Sequence, residues 1–278
     1  MENRESYVQR REEERKYIIE LSQSIRSFKD VKASVFGMSI RSTYSQIAFL
    51  SLNLNELNEA RKFFFKGAKI TAETFRIFKE GRYPHLQKIG PLPFTSLFVK
   101  SFPDAVLCGS TSMLTEYATA IYEESGPPQG LVFNSNIMHA IKSLILGDGV
   151  KAKQYAEDAH EPVNFKGPYA GFSHAVKGIV GNDLALLNEG LQLRLKFHNT
   201  DTKGTIFHRT CAEATALAKL AIDRGMQPDT SSPFIHKGLL ETTADFEEGV
   251  NEILDALAIA ERNNSGLLGK LGNIFKKS

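Results

Sequence analysis

Apolar residues recur along this chain at spacings of three and four, the period of an α-helix, and the alternation expected of strands is nearly absent. Over residues 53–80 one row runs Leu57, Ala60, Phe64, Ala68, Thr71, Phe75 and Phe78, while Phe63, Ile70 and Ile77 mark a second side. A helix apolar on two sides is normally buried between neighbours. Phe65 belongs to neither row and is expected at the surface. The first helix is expected from Arg4 to Phe28. Its stripe of Ile18, Leu21, Ile25 and Phe28 follows a solvated, charge-balanced front from Arg10 to Lys16 in which Glu12 and Lys16 are spaced for an i,i+4 ion pair.

Proline and glycine clusters punctuate the pattern at 81–93, 125–130, 162–168 and 199–204, and Pro228 and Pro233 bracket a further break. Between them helices are expected over Ala105–Glu124, Asn136–Leu146, Ala170–Val180, Asp183–His198, Ile206–Arg224 and Thr243–Arg262. Three times an apolar helix meets a short polar turn and a second helix begins at once: at Asn53-Leu54-Asn55-Glu56, at Gly147-Asp148-Gly149 and at Gly181-Asn182-Asp183. In the latter two, glycine ends one helix and Asp or Asn caps the next. Such hairpins bury their apolar faces by stacking. The expectation is an all-α, solenoid-like bundle of irregularly stacked antiparallel helical hairpins. It forms a single domain over 1–278, with a soft boundary at 125–133 and an amphipathic basic tail at 264–278.

Composition adds limits. At 278 residues and 42% hydrophobic content, the chain can bury roughly three quarters of its unfolded surface without disulfide or metal staples. A formal charge of +2 points to no nucleic-acid partner. The opening Met1-Glu2-Asn3-Arg4-Glu5 has no apolar segment behind a basic start, and no run reaches a membrane span. Cys108 and Cys211 sit in apolar helical patterns as small buried hydrophobes. A cytoplasmic location is expected.

The candidates for chemistry are thin. Glu157 and His160 form Glu-x-x-His, but a di-iron site needs a second such pair, and none is present. His208 and Cys211 are two ligands with no further pair nearby, which makes a poor zinc site. Gly109-Ser110-Thr111-Ser112 lacks the second glycine of a nucleophile elbow. No catalytic residue, metal site or cofactor is expected.

The helix from Thr243 is more informative. Phe246, Val250, Ile253, Leu254 and Leu257 make an apolar face, while Asp245, Glu248, Glu252 and Asp255 follow one another at helical spacing on the other side. Like charges at these spacings repel by about 0.2–0.5 kcal/mol per pair, which a basic partner would relieve. The helix dipole welcomes acids in the first turns, so the ridge of four acids is either a solvated face or a set of candidate partner-binding residues, with Phe65 as a candidate aromatic anchor. In the tail, Leu267, Leu268, Leu271, Ile274 and Phe275 oppose Lys270, Lys276 and Lys277. That pattern suits docking on the protein's own body, a partner or a membrane surface.

Residues 176–240 carry a resemblance. A helix ends in Gly178-Ile-Val-Gly-Asn-Asp and Leu184-Ala-Leu-Leu-Asn-Glu-Gly-Leu follows. Then come His208-Arg-Thr-Cys-Ala-Glu-Ala-Thr-Ala-Leu-Ala-Lys-Leu-Ala-Ile-Asp-Arg-Gly-Met, Pro228-Asp229 and Ser232-Pro233-Phe234-Ile235. This resembles the immunity protein 49 family of bacterial polymorphic toxin systems; the likeness is good across about a quarter of the chain and in the N-terminal half extends only to the order of helices. A sister group of helical immunity proteins against DNase toxins is a near alternative, although its tryptophan-rich motifs have no counterpart in a chain without tryptophan. The resemblance implies a non-enzymatic cytoplasmic antidote that binds and occludes a cognate protein toxin. The competing expectations are a helical-repeat adaptor or ligand sensor that binds a peptide or small molecule, and a metal-dependent enzyme.

Overall fold

The computed structural model describes residues 4–26, 39–80, 94–121, 132–159, 170–242 and 251–259, and every regular element among them is helical. In chain order these are α1 (Arg4–Arg26), α2 (Ile40–Asn53), α3 (Leu57–Lys79), α4 (Phe94–Leu107) and α5 (Thr111–Ala120). There follow α6 (Val132–Ile145), α7 (Gly149–Asp158), α8 (Phe172–Gly181), α9 (Leu184–Asp201), α10 (Ala212–Ile222), a 3-10 turn at Lys237–Leu239 and α11 (252–259). Buried apolar side chains from every one of these helices join a single core. No helix among the described residues is long and apolar enough to cross a membrane. Residues 125–131 of the expected boundary, and the whole 264–278 tail, lie outside the described residues.

The three expected hairpins are α2–α3, α6–α7 and α8–α9, and they are the most extensively packed helix pairs. Each reverses on a residue in the left-handed region: Asn55 at φ 64°, Gly147 at φ 78° and Asn182 at φ 52°. In the third turn Gly181 is the last helical residue and Asn182, not the glycine, takes the left-handed conformation. Asp148 and Asp183 cap the helices that follow, accepting from Lys151 N and Leu186 N at 3.0 Å. The α8–α9 hairpin is the tightest. A Cβ on Gly190 would stand 2.3 Å from Ala175 N, and one on Gly178 would stand 2.4 Å from Leu187 N, so here backbone lies on backbone.

α4 is the centre of the bundle. It packs against α3, α5, α6 and α10, and every residue from Ser101 to Ser110 is buried. The pattern placed one helix over Ala105–Glu124; instead α4 starts at Phe94 and carries Pro103 inside it. It ends where Gly109 turns at φ 83°, and α5 starts anew. Ser110 caps α5 by accepting from Met113 N at 3.2 Å, so the Gly-Ser-Thr-Ser stretch is a helix boundary. The helix expected over Ile206–Arg224 is likewise shorter. Residues 203–209 form turns, and α10 begins only after Cys211, whose N–H donates to Phe234 O at 2.8 Å.

Phe65 is not exposed: it is 4% accessible, because α3 is enclosed by α2, α4 and α5 on more than two sides. Nor is the front of α1 simply solvated. Arg11 is buried and pairs with Glu56, and Arg15 reaches Glu59 and Glu12, so the charged turns clamp α1 onto the start of α3. Lys16 stands 3.9 Å from Glu20 rather than pairing with Glu12. Elsewhere, buried cations hold the segment 226–242, which carries the 3-10 turn Lys237–Leu239. Arg61 donates to Gly238 O and Glu241 O at 2.7 and 2.9 Å, and Lys219 donates to Thr242 Oγ1 at 2.8 Å and Leu240 O at 3.2 Å.

Candidate functional site

The acidic helix behaves differently from its pattern. In α11, Ile253 and Leu257 dock into the core as expected and Leu254 is half-buried. Glu252, however, is only half-buried and is engaged within the fold: Lys66 Nζ donates to its two oxygens at 2.7 and 3.0 Å, and the Tyr44 hydroxyl donates to Oε2 at 3.1 Å. The Tyr44 hydroxyl is pushed well above its ordinary pKa, by burial first and by Glu252 second, so it stays protonated and donates. Glu252 thus ties α11 to α2 and α3. Asp255 is exposed, while Asp245 and Glu248 lie outside the described residues. Phe65 is in the core, under Lys69, and is removed as a surface anchor.

The histidine and cysteine candidates are also committed to structure. His198 Nε2 is 3.1 Å from His208 O, Thr202 Oγ1 lies 3.3 Å from His198 Nε2 and from His208 Nδ1, and Phe234 packs against both rings. Burial holds the His198 imidazole below its ordinary pKa. Burial pushes both thiols up to about 12, so Cys108 and Cys211 are neutral at pH 7. Glu157 is an exposed partner of Lys153 at 3.9 Å, and His160 lies outside the described residues. No group of three or more His, Cys, Asp or Glu side chains that could hold a metal ion occurs among the described residues.

What the fold does assemble is an open trough whose walls mix charged, polar and apolar side chains. Its inner cavity, about 270 Å³, lies between α2 and α4 on one side and α9 with the start of α10 on the other. An outer cavity of about 400 Å³ continues it along α2 and α4, and the two share Arg41, Ser42 and Lys100. Charges sit at its floor. Arg41 donates through Nε and Nη2 to Asp104 at 2.6 and 3.1 Å, and Asp104 is 1% exposed. Burial raises the Asp104 carboxyl above its ordinary value against the pull of Arg41. On the facing wall Arg194, also buried, lies 3.5 Å from Glu213 and stacks over the rings of Phe197 and Phe172. Lys100 and Asp201 are exposed at the rim, and Phe197 and Phe207 are half-buried between them.

The trough unites residues separated by up to about 170 positions, so no local motif announces it. The signal that was there is charge on an apolar face. Arg194 falls in line with Leu187, Leu191 and His198 on the buried side of α9, and Asp104 interrupts the apolar run Phe102 to Leu107. A buried charge is costly unless paired and therefore marks a built site.

No family model matches the chain, and no curated protein and no solved structure matches it either.

Proposed function

We propose that this chain is an immunity-type protein that binds a cognate toxin by contact and occludes it, using the trough as its principal contact site. One observation carries this reading. The trough wall formed by α9 and the start of α10 belongs to the 176–240 segment that resembles the immunity family, and it presents Arg194, Asp201 and Glu213 opposite Arg41 and Lys100. Charges of both signs arranged on a preformed frame set register and speed association, while half-buried aromatics supply affinity. Phe197 and Phe207 take the anchoring role that burial denies to Phe65. The remaining acids of the C-terminal ridge, Asp255 among them, form a second and smaller candidate contact.

The test is capture of the partner from the native cell, followed by co-expression in a host whose growth the captured protein arrests. The wild-type chain restores growth. The rim reversals Asp201→Lys and Lys100→Glu slow association about tenfold or more, and Asp255→Lys in the same assay reads the ridge. A captured partner that does not impair growth would refute the antidote role. Rescue and binding unchanged by both rim reversals would refute the trough as its site. A ligand-sensing adaptor is the second reading, favoured by the volume of the two joined cavities. It predicts thermal stabilisation by a small molecule with no protein partner present.

A further inference from the structure

The outer cavity differs from the rest of the trough in that its described lining carries charge of one sign only. Its described lining includes two cations from separate helices, Arg41 and Lys100, with Ser39, Ser42 and Gln46 beside them and no carboxylate. Arg41 is held from behind. Asp104 takes its Nε and one Nη2 hydrogen, and Nη2 also lies 3.4 Å from Ser45 Oγ. That leaves Nη1 with no partner among the described residues. Lys100 has no ion pair there, and neither the Ser42 hydroxyl nor the Gln46 amide has a hydrogen bond there.

We propose that this cavity is a phosphate site, for free phosphate or for the phosphate group of a small monoester. The argument is one of donor geometry. A planar carboxylate is best met by the two-nitrogen fork of an arginine, and the Nε–Nη2 fork of Arg41 already faces Asp104. What remains are single donors on separate side chains: Nη1 of Arg41, Nζ of Lys100, the hydroxyl of Ser42 and the amide of Gln46. Single donors on separate side chains suit a tetrahedral anion whose oxygens each accept more than one hydrogen bond. Lysine serves such a group as a point charge and arginine as a rigid donor. Asp104 contributes by fixing the guanidinium before anything binds, which lowers the ordering cost of binding. A volume of about 400 Å³ is of the size that small-molecule sites have, with space for the organic part of a monoester. The inference is independent of the toxin reading, since it concerns the isolated chain.

The test is calorimetric titration of the full chain, at matched ionic strength, with inorganic phosphate, glycerol phosphate and succinate. Phosphate and glycerol phosphate should each bind at one site per chain, and succinate should bind more weakly. Lys100→Met and Ser42→Ala, both at accessible positions, should each weaken phosphate about tenfold, as loss of a hydrogen bond to a charged group does. Far-UV circular dichroism should show both variants folded. Binding of both phosphates marks a monoester site, and binding of inorganic phosphate alone marks the free anion as the occupant. The proposal is overturned if neither phosphate saturates, if succinate binds as well as phosphate, or if both folded variants bind like the wild type.

Discussion

The α8–α9 hairpin offers the sharpest test of how this sequence specifies its fold, through Gly190→Ala. A Cβ at residue 190 would meet Ala175 N at 2.3 Å, Gly171 O at 2.6 Å and Ala175 Cα at 2.8 Å. All three are backbone atoms, so no side-chain rotation relieves the clash. An ordinary contact lies at about 3.5 Å, so the two helices must part by roughly 1 Å, and a gap of that size forfeits about a quarter to a half of each dispersion contact along the seam. Overpacking of this kind costs about 1–3 kcal/mol, and the backbone contact places Gly190→Ala at the upper end. The substitution also gains about 1 kcal/mol of helix propensity, which leaves a net loss of about 2 kcal/mol.

Urea denaturation followed by far-UV circular dichroism measures this, with Gly181→Ala as the matched control. Gly181 is helical too, but nothing lies within 4 Å of its would-be Cβ, so the control should be neutral or slightly stabilising. The reasoning fails if Gly190→Ala unfolds at the wild-type midpoint, or if the two variants lose stability equally.

Two further outcomes follow from buried charge. Asp104→Asn leaves the Arg41 guanidinium without its counter-charge and should cost about 3 kcal/mol in urea denaturation, whereas Arg41→Met with Asp104→Leu should recover most of it; equal stability of wild type and single variant would show the pair to be energetically idle. Burial lowers the His198 and His236 imidazoles from the ordinary value of 6.5, so the unfolded chain takes up protons there before the folded one does. Their contribution to stability is whole above about 6.5 and is lost as the pH falls below it. The urea midpoint should therefore drop between about pH 7 and pH 5, and His198→Gln should flatten that drop. Asp104 acts in the opposite sense nearer the carboxylate range, so the difference between wild type and His198→Gln is the readout, and identical slopes would refute the assignment.

How much of this could be read from the chain depended on whether the signal was local. The hairpin turns were legible because each end is set within a few residues, by a left-handed Asn or Gly and, in two of them, an Asp cap. The first turn of the helix expected from Ile206 was misread for the opposite reason. Cys211 gives its N–H to Phe234, more than twenty residues on, and a distant partner stops the helix where propensity would have continued it. The break at Gly109 had its local signal, a glycine before a serine cap, but the apolar run on both sides outweighed it. Phe65 failed because two apolar rows imply two neighbours and α3 has more. The contacts of Glu252 had no local signal because its partners, Lys66 and Tyr44, lie about two hundred residues away along the chain.

The trough shows why buried polar groups reveal more here than exposed ones do. Gly67 on α3 lies against Asp104 on α4, where an added Cβ would come within 2.9 Å of Oδ2, and Asp104 in turn holds Arg41 on α2. Three helices thus place one guanidinium at the edge of a cavity. For stability alone the arrangement is a poor choice, since apolar side chains of similar volume hold helices together as well as a buried ion pair or better. What they cannot do is present a fixed cation to solvent. A surface lysine can present charge too, but its flexible stem must be ordered each time something binds. The cost of burying Asp104 is therefore intelligible if the position of Arg41 is what the sequence maintains.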